Sequence, residues 1–153
     1  MWYCERMATA PATPLLDEQI CFALYSASRA LTSHYRELLA PLGITYPQYL
    51  VMLVLWEEGS VSVSHLGDRL HLDSGTLSPL LRRLETAGLL TRARSTADER
   101  VVEVVPTAEG GRIRELATSI PAGVCAATGL APEAIRLLQQ QITAIADSVR
   151  SAP

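Results

Sequence analysis

The sequence predicts a mostly α-helical fold with one small β-hairpin wing, a winged helix-turn-helix between N- and C-terminal dimerisation helices. Three observations carry that expectation. Apolar residues recur at helical spacing over most of the chain. Two helical segments follow one another between residues 62 and 88. A stretch rich in β-branched residues, Leu89 to Pro106, then folds back on the polar turn STADE. At 153 residues, with 48% hydrophobic and 19% charged, the chain has the size and composition of one folded domain.

Residues 1–15 are rich in Ala, Thr and Pro and read as a disordered tail, with Met7 a possible alternative start. The rest, 16–153, reads as one domain, with a DNA-binding lobe over 45–106 flanked by dimerisation helices over 16–44 and 107–150. The first helix is expected from Asp17, as N-cap, to Ala40, ended by Pro41 and Gly43. The second opens at Thr45-Tyr46-Pro47 and runs to Gly59. It is apolar nearly all round, so it belongs in the core. A short helix over Ser62–Leu70 and a longer one, capped by Asp73 or Ser74 and ended by Gly88, precede the hairpin. A fifth helix is expected from Thr107 toward Cys125, strained or broken around Pro121 and Gly123. The last follows Pro132 and carries Ile135, Leu138, Ile142, Ile145 and Val149 on one face, a surface suited to dimerisation with the first helix.

Charge and cysteine content narrow the function. All 13 basic residues are Arg, yet the net charge is −3, so a nucleic-acid surface has to be a local concentration. Five Arg (82, 83, 92, 94 and 100) stand against Glu85, Asp98 and Glu99 in one stretch. No apolar run reaches the roughly 18–20 residues of a membrane span, and the N-terminus lacks a secretory core, which points to the cytoplasm and reduced thiols. Cys4, Cys21 and Cys125 form no CxxC pair and suit neither a disulfide framework nor a zinc site. His34, His65 and His71 are too scattered to suggest a metal, and no cofactor is implied.

The order helix, helix, hairpin is that of a DNA-reading lobe. A helix about 10–12 Å across fits a major groove about 12 Å wide. Ser74, Gly75, Thr76 and Ser78 are short and polar, so the start of that helix can approach base edges and phosphates. Arg82 follows, and the hairpin offers Arg94, Asp98 and Arg100. An Asp two residues from an Arg on a hairpin can fix a guanidinium for the minor groove. Each feature alone is also what a helix cap or a solvated hairpin looks like, and only their joint order points to DNA.

The segment LDSGTLSPLLRRLETAGLLTRARSTADERVVEVVPTAEG resembles the recognition helix and wing of the MarR family of transcriptional regulators. Within it, CFALYSASRALTSHYRELLAPLGITYPQYLVMLVLWE and IPAGVCAATGL resemble the two-cysteine type of the organic-hydroperoxide-sensing OhrR repressors. The likeness covers about residues 15–150. It implies a homodimer on a palindromic double-stranded operator, with Cys21 as peroxide sensor, Tyr35 and Tyr46 hydrogen-bonded to it, and Cys125 as the second cysteine. Cys4 has no counterpart.

Read from the residues alone, a lone Cys in an apolar helix is more often an inert small hydrophobe. Placed near a helix start, however, its thiolate is favoured, and a thiolate attacks peroxide to give sulfenic acid. Tyr25, Ser28 and Tyr35 share a face with Cys21, at spacings of four, seven and fourteen residues. Tyr35 stands about 21 Å along that helix, too far to touch the thiol of its own chain, so the implied pairing requires an antiparallel second copy. The expected function is therefore a repressor released when organic hydroperoxide oxidises Cys21, followed by a disulfide to Cys125 of the other subunit. The alternative is a regulator released by a bound phenolic or lipophilic ligand, with inert cysteines. A thiol peroxidase is disfavoured, since no recycling CxxC or peroxidase-type Thr/Arg site is present.

Overall fold

The computed structural model describes residues 15–95 and 98–152. All of the expected tail except Leu15, with Cys4 and Met7, lies outside the described residues, as do Thr96 and Ala97 of the wing turn. Two compact units are distinguished, one ending at Ser33 and one beginning at His34.

A 3-10 turn over Leu16–Glu18 precedes helix α1, Ile20–Leu39, whose last residues belong to the second unit. Asp17 is therefore not the helix cap. It lies inside the turn, which closes by the Gln19 N–H donating to the Leu16 carbonyl at 3.1 Å. Gln19 has extended backbone, and the helix begins after it. Beyond α1, a second 3-10 turn over Ala40–Leu42 ends at Gly43, whose φ of 66° is left-handed, a conformation glycine adopts without Cβ strain.

The second unit is organised around helix α2, Tyr46–Glu58. The N–H of Thr45 donates to Gln48 Oε1 at 2.8 Å at its start, and Pro47 sits in the first turn, where a missing N–H costs nothing. Tyr49, Val51, Met52, Val54 and Leu55 are all buried, as an all-round apolar helix requires. Helix α3, Val63–Leu70, is capped by Ser62, whose Oγ accepts the His65 N–H at 3.1 Å. It docks on the end of α2 through Arg69, which pairs with Glu57 and Glu58 at 2.8 Å each, and through His65 Nε2 at 2.7 Å from Glu58. His71 ends α3 in left-handed backbone, φ 53°. Helix α4, Ser74–Thr86, buries Leu77, Leu81 and Leu84 at helical spacing.

The wing strands β2, Leu90–Arg94, and β3, Val102–Pro106, pair antiparallel with Arg92 opposite Val104. A two-residue strand β1, Val61–Ser62, extends the expected hairpin to a three-stranded sheet of order β1-β3-β2, pairing Val61 with Val104. The fifth helix, expected to be strained or broken around Pro121 and Gly123, is two, α5 over Ala108–Leu116 and α6 over Ile120–Thr128, separated by a 3-10 turn at Ala117–Ser119. The break precedes Pro121, which sits in the first turn of α6, where proline is at ease, so neither Pro121 nor Gly123 interrupts a helix. Helix α7, Pro132–Arg150, completes the chain.

One knot ties the lobe to helix α5. Thr107 caps α5, its Oγ1 accepting the Gly110 N–H at 3.0 Å and donating to the Gly88 carbonyl at 2.6 Å. Trp56 Nε1 donates to the Gly110 carbonyl at 2.8 Å. A Cβ on Gly110 would overlap the Leu89 carbonyl, so only glycine lets α5 pass this close.

Candidate DNA interface and thiol sites

Asp73 caps α4, which settles the choice between Asp73 and Ser74. Its Oδ1 accepts the Thr76 N–H at 2.8 Å and its Oδ2 the Thr76 hydroxyl at 3.1 Å. These hydrogen bonds hold its carboxyl below the usual carboxylate range. The Ser78 hydroxyl donates to the Ser74 carbonyl at 2.7 Å. Ser74, Gly75, Ser78, Pro79, Arg82 and Arg83 line one open groove on the face opposite the buried leucines. The cap therefore aims four exposed small or polar residues and two guanidiniums outward together.

The wing carries Arg94 and Arg100, both exposed. Asp98 Oδ1 accepts the backbone N–H of Arg100 at 2.9 Å, and the Asp98 carbonyl accepts the Val101 N–H at 2.9 Å. The expected carboxylate grip on the Arg100 guanidinium is replaced by one on its backbone: among the described residues no ion pair joins the two. The backbone from Asp98 to Val101 is thereby held, and the guanidinium is left to reach outward. By the same ion pairs, Arg82, Arg83, Arg94 and Arg100 are uncommitted among the described residues, whereas Arg92 is not, since Glu85 of α4 holds it at 2.6 Å. The basic stretch thus has four outward-facing arginines rather than five. Spacing in sequence gave no hint of this seven-residue link between a helix and a strand.

Cys21 is the second residue of α1 and is exposed. One turn on, the Tyr25 hydroxyl accepts from Arg29 Nη1 at 2.9 Å, and the guanidinium lies 5.6 Å from the ring centroid. In the second unit Tyr35 and Tyr46 do come together, with ring centroids 4.4 Å apart. Tyr49 stands 6.0 Å from Tyr35, and Trp56 stands 6.0 Å from Tyr49, edge to face. Tyr35 has its hydroxyl pushed up to about 12, first by burial and then by Tyr46, Tyr49 and the nearby Cys125 thiol. It therefore stays a neutral donor at physiological pH. Burial also raises Tyr46 and Tyr49. Cys125 is half-buried in regular helix.

Two further surfaces belong to this unit. Helix α7 has no buried residue, and Leu138, Ile142, Ile145 and Val149 are 45, 38, 40 and 69% exposed along one face. Tyr49, Leu53, Trp56, Ala117 and Pro121 wall an open, mainly apolar groove with Arg114 and Glu57 at its rim. The sequence reading missed the groove, whose walls meet only through tertiary packing. No single helix of the described residues is long and apolar enough to cross a membrane.

Residues 44–102 match the model of the MarR family. The chain is 41% identical over 134 residues to the organic hydroperoxide resistance transcriptional regulator of Bacillus subtilis, covering 88% of this chain and 91% of that one. Among solved structures it is similar to AbfR of Staphylococcus epidermidis. The reduced, DNA-bound form matches at a TM-score of 0.76 with 30% identity, over 97% of this chain and 99% of that one. The disulfide form matches at 0.61 with 33% identity, over 94% and 96%.

Proposed function

The chain belongs to the MarR family of transcriptional regulators, and from that premise we propose that it is a redox-switched repressor, a homodimer released from a palindromic operator when organic hydroperoxide oxidises Cys21. One observation carries the redox part: an exposed thiol on the second residue of α1. The likeness to an organic hydroperoxide resistance regulator, and to a protein solved both reduced on DNA and as a disulfide, supports the same reading.

In this reading two recognition helices α4 enter successive major grooves, one per protomer. Ser74, Gly75, Thr76 and Ser78 meet base edges and phosphates, with Arg82 beside them. Arg94 and Arg100 of the wing reach the minor groove, with Asp98 setting the turn. The exposed stripe of α7 supports a protein that is complete only as a dimer. The Cys21 thiolate attacks the terminal peroxide oxygen, leaving sulfenic acid at Cys21 and releasing the alcohol once the departing oxygen takes a proton. The Cys125 thiol of the other protomer then displaces that oxygen as water and forms the disulfide. Tyr35 and Tyr46 of the other protomer donate to the Cys21 thiolate before oxidation. A coupling of about 2–3 kcal/mol weakens operator binding roughly 30- to 150-fold. The hydroperoxide is a stoichiometric signal here and not a turned-over substrate, the chain working in the cytoplasm without cofactor or metal.

Binding of the reduced protein to a duplex selected from random sequence tests this. Cumene hydroperoxide should release the wild type and not Cys21→Ser. Release of Cys21→Ser by peroxide would overturn the assignment.

The apolar groove with Arg114 at its rim favours one second reading, release by a phenolic or lipophilic acid. In that case salicylate would release Cys21→Ser and wild type alike.

A further inference from the structure

One local link between the recognition helix and the wing joins Glu85 to Arg92. Glu85, in the last turns of α4, takes three hydrogen bonds from Arg92 of β2. Its Oε1 accepts the Arg92 backbone N–H at 3.1 Å, and its Oε2 accepts Nε at 3.0 Å and Nη2 at 2.6 Å. Both side chains are about two-thirds shielded. β2 is an edge strand, so the helix carboxylate closes a backbone donor that the sheet leaves open. The guanidinium holds that carboxyl below its usual range.

An exposed ion pair with two free side chains contributes little. This one is different because a backbone N–H is a third partner, so it fixes a strand and not merely a side-chain tip. The strand it fixes carries Arg94 two residues on. The helix that fixes it presents Ser74 to Arg82. We propose that Glu85 and Arg92 form a positioning clamp that sets the wing's height above the recognition helix. The major-groove and minor-groove contacts of the reading above can then be made together. Glu85 would act through Arg92 and touch no DNA itself.

Rigid positioning and bulk charge predict opposite signs, which makes the clamp testable. By charge alone, removing Glu85 deletes a repulsive carboxylate and frees a guanidinium, so every duplex should bind more tightly and the salt slope should steepen by up to about 0.9. By positioning, Glu85→Ala should bind the selected duplex about tenfold more weakly. It should hold or gain affinity for poly(dI-dC), and lose hydroxyl-radical protection in the minor groove while keeping methylation interference in the major groove. Glu85→Gln, which keeps an acceptor for the Arg92 N–H, should fall between Glu85→Ala and wild type. Hydrogen exchange at the Arg92 amide, read without DNA, should quicken in Glu85→Ala and stay slow in Glu85→Gln. Tighter binding to both duplexes, or unchanged protection and exchange, overturns the clamp. The inference rests on the DNA-binding reading. Should the wild type prefer no duplex, that reading fails and the exchange arm alone judges the clamp.

Discussion

The lobe around α2 and the terminal helix α7 use apolar residues in opposite ways. In α2, 13 residues bury six side chains, Gln48 among them. In α7, 19 residues bury none and leave a stripe of Leu, Ile and Val uncovered. The two patterns differ, α2 being apolar nearly all round and α7 along one face, and the single face is the one the chain leaves uncovered. The lobe closes its own core, with Leu66, Leu77, Leu81, Leu84, Leu90 and Val104 nearly inaccessible. The stripe of α7 is useful only against a second surface. The lobe is thus self-sufficient in its packing, and α7 is not.

The largest expected effect comes from α7. Leu138→Glu combined with Ile142→Glu should leave far-UV circular dichroism near wild type yet convert a dimer to a monomer in sedimentation. Operator affinity should drop by 10² or more, on the order of the avidity lost when two linked sites act singly. A dimer that persists with full affinity would break the comparison.

Next comes the lobe. Leu81→Ala removes a side chain that is 1% exposed and should cost about 2–5 kcal/mol in urea unfolding. Leu137→Ala, at a position 57% exposed, should cost well under 1 kcal/mol in the same assay. Similar losses at both sites would mean that α7 packs in solution as tightly as the lobe.

A smaller effect is expected at the knot between the lobe and α5. Thr107→Ala deletes a cap and the tie to the Gly88 carbonyl and should cost about 1–2 kcal/mol, read as a lower denaturation midpoint.

The smallest concerns pH. Tyr35 titrates at about 12 in the folded protein against 10.0 for the free group. Between those values the unfolded chain has lost the proton that the folded chain keeps, so stability falls as pH rises from 10 toward 12. The contribution is fully present below pH 10. Tyr35→Phe should flatten that alkaline limb, and ultraviolet titration should show one late phenol disappear with it. An unchanged limb would place the buried phenol elsewhere.

Local signals were legible in the sequence and tertiary ones were not. The cap at Asp73, the proline in the first turn of α2 and the β-branched wing are set by neighbours within a few residues, and the structure has them where the sequence puts them. Asp17 misled because Leu16–Glu18 turns before α1 begins. The break expected around Pro121 is present but falls just before it, because proline both breaks helices and opens them, and here it opens α6. β1 is two residues long, too short for any period. Among the candidate site residues, the exposure of Ser74, Gly75, Thr76, Ser78 and Arg82 and of Arg94 and Arg100 followed from patterning. The neutralisation of Arg92, and the meeting of Tyr35, Tyr46, Tyr49 and Cys125, depend on packing between elements distant in sequence.

Trp56 makes the molecule its own optical instrument. The chain has two tryptophans, and Trp2→Phe leaves this one as the sole indole emitter. Its ring nitrogen is bonded to the Gly110 carbonyl, at the knot where the lobe meets α5, and its edge meets Tyr49 at the end of the phenol cluster. Light absorbed by those phenols passes to the indole by energy transfer, so the ratio of emission under tyrosine and tryptophan excitation reads how tightly the cluster is stacked. The wavelength of that emission reads whether the bond to Gly110 is intact. Any signal that travels between the phenols and the wing through this knot can therefore be followed in real time, without a dye, in the unlabelled protein.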